Sequence, residues 1–122
     1  MFEFFEILGD IVFDALDTVW ELLRPIWDSI QKTYKRLFRF STDVVKWLMK
    51  PGHVARLKSE EGAVAVVIKE RLASGDFNVV KCLCNPSEEE VYDAEVVEAE
   101  SLDAETLRHF GDDDVLVLGY EG

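Results

Sequence analysis

A chain of 122 residues has room for one domain, or for one small domain with an appendage. Its 48% hydrophobic and 31% charged residues fit a folded chain and argue against general disorder and against a polytopic membrane protein. A formal net charge of -12 disfavours duplex DNA or RNA as a ligand, because phosphate binding needs clustered Lys and Arg. Such acidity suits a basic protein partner or mimicry of nucleic acid.

In chain order, the first segment carries apolar residues at helical spacing: Ile7, Leu8, Ile11, Val12, Ala15, Leu16, Val19, Trp20, Leu22, Leu23, Ile26, Trp27 and Ile30. Asp10, Asp14, Asp17, Glu21, Arg24, Asp28, Gln31 and Lys35 recur in steps of three and four, which places them on one narrow polar stripe. The wide apolar face left over must be buried; covering even six large side chains is worth roughly 10 kcal/mol. Pro25 interrupts the pattern and either kinks one helix or separates two. Ser41 is placed to cap a further short helix through Met49, ended by Pro51-Gly52. The sequence thus predicts an amphipathic helical arm over 1–50, either a kinked helix or a helical hairpin.

Charge along this arm is ordered, acidic from Glu3 to Asp28 and basic from Lys32 to Lys50, with Arg24 and Asp43 as exceptions. Set antiparallel to itself, the arm brings Glu3 to Lys50, Glu6 to Lys46, Asp14 to Arg39, Asp17 to Arg36 and Glu21 to Lys32; Asp10 against Asp43 alone is repulsive. Two copies could pair in this way, or one chain could fold back near Pro25. The same order also suits the helix macrodipole. Exposed pairs contribute at most about 1 kcal/mol each, so they would orient an association that the apolar face drives.

Beyond Pro51-Gly52 the chain is acidic, poorer in aromatics and without tryptophan, so 51–122 is expected to be a separate α+β domain. Ser59-Glu60-Glu61 followed by Val64, Val67, Ile68 and Leu72 predicts a helix stopped at Gly75, although Val64, Val66 and Ile68 also alternate as a strand does. Phe77 to Cys84 predicts a strand with Phe77, Val79 and Leu83 on one face and Val80, Cys82 and Cys84 on the other. Asn85-Pro86-Ser87 opens a turn, and Val91 to Ala99 returns as the second strand of a hairpin. Asp103 caps a short helix, with Leu102 and Leu107 as a hydrophobic staple; Gly111 ends it before the strand Val115 to Leu118. The expected order is α-β-β-α-β.

Chemistry-bearing motifs are sparse. Cys82 and Cys84 point to one face of a strand and could share a soft metal ion, but no second cysteine pair completes a tetrahedron, so core filling is the better reading. Neither cysteine has the helix N-terminus or clustered cations that would activate it with His109, and His53 stands apart. Asp112-Asp113-Asp114 lacks the spacing of a calcium loop, and Glu88-Glu89-Glu90 reads as a hairpin tip. No catalytic residue, cofactor or metal is therefore expected.

No basic start or small-residue cleavage site marks a signal peptide, and no apolar run is long enough to span a bilayer. The lack of a disulfide framework favours a cytoplasmic setting, at most peripheral to a membrane. The expected function is assembly or adaptor work: the arm self-associates or docks on another protein, with Phe13, Leu16, Trp20, Leu23, Trp27 and Ile30 at the interface, while the acidic domain is displayed for recognition. One alternative is a membrane-associated protein, its contact built from Lys32, Lys35, Arg36 and Arg39 beside Trp27, Phe38 and Phe40. Another is an acidic decoy of a nucleic-acid-binding protein.

Overall fold

The computed structural model describes residues 4–6 and 11–120, with side chains from Asp17 onward. It is a mixed α+β structure built on a six-stranded sheet of order β1-β6-β3-β4-β5-β2. The strands are β1 (Phe4–Glu6), β2 (Gln31–Phe38), β3 (Val64–Arg71), β4 (Phe77–Asn85), β5 (Glu90–Leu102) and β6 (Val115–Tyr120). All neighbours are antiparallel except β2, which lies parallel to β5 at one edge. The helices are α1 (Ile11–Leu23), α2 (Lys46–Leu48), α3 (Pro51–Ser59) and α4 (Ala104–Phe110).

Strand β4 accounts for the layering. Val79 and Leu83 point into one cluster and Val80, Cys82 and Cys84 into the other, as strand alternation requires. The first cluster joins the sheet to Phe40, Val44, Trp47, Leu48, Leu57 and Phe110 from the π-helical turn Phe40–Val45 and from α2, α3 and α4. The second joins the opposite face to Val19, Leu23 and Ile30 from α1 and the 3-10 turn Arg24–Ser29. The sheet is therefore covered on both sides.

Three expectations are corrected. Residues 64–71 form strand β3, not a helix: a central strand buried on both faces is a continuous apolar run, and its Val and Ile residues satisfy helical spacing by being apolar everywhere. Residues 31–38 form strand β2, not the second half of a helical arm. Their charges fall three and four apart, but pairing from Gln31↔Glu95 to Phe38↔Leu102 overrides that pattern. Finally, the short helix expected through Met49 is present as the π-helical turn Phe40–Val45 running into α2, but Arg39 stands at its start in place of Ser41, its N–H accepted by the Asp43 carboxylate at 2.8 Å, and Pro51 begins α3 as its first-turn proline. One sheet thus draws strands from both sides of Pro51-Gly52, and the observed order after it is α-β-β-β-α-β.

Other local signals are realised as read. Strands β4 and β5 form the hairpin around Pro86–Glu88, where the buried Asn85 side chain accepts from Glu88 N–H and donates to the Glu61 carbonyl at 2.8 Å. Asp103 caps α4 by accepting from Thr106 N–H at 2.9 Å, and Gly111 ends it with a φ of 59°. Leu107 is exposed, however, so the hydrophobic staple with Leu102 is not formed.

Candidate docking surface

Among the described side chains, the apolar stripe of α1 is used within the chain. Val19 and Leu23 are fully buried and Ile30 nearly so, all against the sheet. This differs from a face that needs a partner to leave water. Of the other expected interface residues, Phe13 and Leu16 belong to α1 with side chains outside the described ones. Trp20 and Trp27 are only half-buried, their ring centroids 5.9 Å apart at 48°.

Those two rings shape an open cleft of about 390 Å³ whose remaining lining is Arg24 and Asp28. Pro25 explains its form. It stands where α1 tightens into the 3-10 turn, so Trp20 and Trp27 come from two helical segments of different pitch. Lys32 Nζ lies 5.3 Å from the Trp27 ring centre, a cation–π contact at the cleft's side. Beside it Ile26 is 39% exposed. The cleft lining sets two flat aromatic surfaces beside the Arg24 guanidinium and the Asp28 carboxylate.

The expected charge pairing lands differently. Glu3 is outside the described residues, and the side chains of Glu6 and Asp14 are outside the described side chains. Asp17 and Glu21 are exposed on α1, Lys46 is exposed on α2, and Lys50 is exposed before α3. Lys32 and Arg36 lie on β2 and Arg39 just after it, so no helix-to-helix ladder runs through them within the chain. Arg36 pairs instead with Glu100 at 3.6 Å.

The other face holds a polar network that sequence reasoning missed. Lys81 is buried in the middle of β4, where its ammonium donates to the Asp43 carbonyl at 2.8 Å, faces Glu95 at 3.2 Å and lies 5.0 Å from the Trp47 ring centre. Burial draws the Lys81 ammonium below its ordinary value, opposed by the carboxylates of Glu95 and Asp43. Asp43, also buried, is ion-paired to Lys35. His53 of α3 bridges the Trp47 carbonyl and the Asp93 carboxylate, each at 2.7 Å. A lysine in an apolar β4 stretch and the recurrence of Asp93 and Glu95 two residues apart were the available signals. These contacts join β2, β4, β5 and the helical layer, with Lys81 and Asp43 buried and Lys35 and Asp93 reaching the surface.

The cysteines are likewise core. Cys82 and Cys84 are buried beside one another on β4, and their hydrogen bond together with burial pushes the Cys82 thiol upward, away from the reactive thiolate. His109 stacks on Phe40 at 3.9 Å rather than approaching a cysteine. Among the described residues no three His, Cys, Asp or Glu side chains are gathered as metal ligands, and no helix is long and apolar enough to cross a membrane. Asp112, Asp113 and Asp114 are exposed in the turn before β6, where Asp114 pairs with Lys69 at 2.7 Å.

No family model, no curated protein and no solved structure matches this chain.

Proposed function

We propose that this chain is a non-enzymatic assembly protein that pairs with a second copy of itself through the cleft of Trp20, Arg24, Trp27 and Asp28. The observation that supports this reading is the cleft's composition. Two half-buried tryptophans leave apolar area in water, and Trp and Arg are the residue types that dominate binding energy at protein interfaces. The charges support a like partner: in a two-fold pairing Arg24 of each copy meets Asp28 of the other, so the patch is complementary to itself. The aromatic surfaces supply the driving force and the two ion pairs set the orientation.

Sedimentation velocity on the full chain tests it. The expected result is a dimer that Arg24→Asp or Asp28→Arg alone dissociates and that the double exchange Arg24→Asp with Asp28→Arg restores. A monomer at about 0.1 mM, where an association of only about −5.5 kcal/mol would already be half-formed, removes the reading. Flotation of the wild-type chain with liposomes would remove it too, in favour of lipid as the partner of the aromatic face.

A further inference from the structure

We infer that the free edge of β2 is a docking site for an extended acidic peptide of another protein, which would join the sheet as an added strand. The inference concerns the edge of the sheet, which adjoins the aromatic cleft only at Lys32, and does not depend on self-pairing.

The backbone supplies the first half of the argument. Strand β2 is terminal in the sheet and eight residues long, with no proline in it and no register shift against β5. The Asp103 N–H donates to the Phe38 carbonyl at 2.9 Å, and Ser101 Oγ donates to the Arg36 carbonyl at 3.2 Å. Even-numbered residues of β2 therefore turn their peptide groups toward β5. Since both groups of a residue point the same way and the direction alternates, an alternation continued back along the ladder to Gln31 would turn the N–H and C=O of Thr33, Lys35 and Leu37 away from the sheet. One residue further on, the Asp43 carboxylate takes the Arg39 N–H and ends the open stretch.

The side chains supply the occupant. Between Gln31 and Arg39 the sequence has Lys32, Lys35, Arg36 and Arg39 and no carboxylate, in a chain whose net charge is -12. Lys35 is held by Asp43, but the Arg36 pair with Glu100 is long and water-exposed, so it yields readily to another carboxylate. A second copy of β2 is a poor occupant: pairing β2 with itself sets cations opposite cations, which disfavours the ladder. An acidic strand gains from the same charges. Inward of the edge, a hollow of about 340 Å³ runs from Lys32, Thr33 and Tyr34 of β2 to Val96 and Glu98 of β5, Asn78 of β4 and Leu72, and leaves room for a side chain reaching over β2 from the added strand. The preferred ligand therefore alternates carboxylate and apolar residues, the period a strand imposes.

The test uses the full chain and a fluorescein-labelled decapeptide of alternating Glu and Val, followed by anisotropy. A Lys–Val decapeptide and a single-stranded oligothymidine of ten nucleotides are the comparison probes. Saturable binding of the Glu–Val peptide is expected, at least tenfold tighter than the Lys–Val peptide and with amide shifts centred on Thr33, Lys35 and Leu37. Thr33→Pro, which deletes an outward N–H while leaving the pairing to β5, should weaken binding at least tenfold. Lys32→Glu with Arg36→Glu should invert the peptide preference, and it decides the matter if the proline variant fails to fold. Arg24→Asp should leave peptide binding unchanged, which separates this site from the aromatic cleft. Equal affinity for both peptides, binding indifferent to Thr33→Pro in a folded protein, or tighter binding of the oligonucleotide would each overturn the inference.

Discussion

The two faces of the sheet are finished in different ways. On the face covered by α2, α3 and α4, three helices and a π-helical turn close over the strands, and the charges inside are answered, Lys81 by Glu95 and the Asp43 carbonyl and Asp43 by Lys35, while the His53 ring is hydrogen-bonded to Asp93. On the opposite face α1 and one 3-10 turn do the covering, and Trp20 and Trp27 stay half in water above a wholly apolar layer. A buried charge network fixes one arrangement, because each group left unpaired is costly. A thin apolar cover fixes less and keeps aromatic surface accessible. The closed face is tied together by paired charges; the thin one is covered by apolar packing that leaves Trp20 and Trp27 partly exposed.

The largest effect that would break this contrast is expected at Glu95. Glu95→Ala removes the carboxylate facing a lysine that is almost wholly buried, and leaving that ammonium uncompensated should cost about 3 kcal/mol or more in urea denaturation. Adding Lys81→Met should recover more than half of the loss, since both charges then leave the interior together. A double variant no more stable than Glu95→Ala would show that the ammonium is not the source. On the thin face Leu23→Ala should cost about 2–4 kcal/mol by opening a cavity between α1 and the sheet. A loss below about 1 kcal/mol would mean that the helix is not firmly seated there.

The same two faces differ in how far the sequence could reveal them. Strand β4 was legible because Val79, Leu83 and Val80, Cys82, Cys84 face different clusters, and α4 because Asp103 and Gly111 are local signals that need no tertiary context. Strand β3 was not, because burial on both faces erases the alternation that marks a strand. Strand β2 was not, because its partner β5 lies more than fifty residues further on and nothing within Gln31–Phe38 encodes a parallel neighbour. The same gap hid the docking surfaces. Trp20 and Trp27 were singled out by spacing, but which of the apolar residues remain accessible depends on the sheet beneath them. The charge order read as a helical ladder is real in the sequence, but within the chain Lys32, Lys35 and Arg36 lie along a sheet edge while Lys46 and Lys50 belong to the helical layer.

A smaller effect concerns pH and the join between β5 and α4. Burial alone would raise the Asp103 carboxyl, but hydrogen bonds from Thr106 and the Phe40 N–H, with Arg39 nearby, outweigh it and draw the group below its ordinary value. A carboxyl held low in the folded state contributes stability above its unfolded value of about 3.9, and that contribution fades as pH falls through the lower folded value. Urea midpoints should therefore drop more steeply as pH falls below about 4 in the wild type than in Asp103→Asn, which keeps a capping side chain without the titration. Parallel curves for the two proteins would assign the acid sensitivity elsewhere.

The smallest effect on stability is expected at the aromatic cleft, and it separates the two faces most cleanly. Arg24 and Asp28 are exposed and appear in no described ion pair, so Arg24→Asp or Asp28→Arg should change the unfolding free energy by no more than about 0.5 kcal/mol. Measurement must be made at a protein concentration low enough for monomers, because dimerisation adds to apparent stability by mass action. Raising the concentration should then stabilise the wild type and the double exchange but neither single variant. If all four proteins respond alike to dilution, the charges do not meet across a two-fold axis. If a single variant loses several kcal/mol as a monomer, Arg24 or Asp28 is holding α1 on its own sheet, and the thin face then serves the fold as fully as the closed one does.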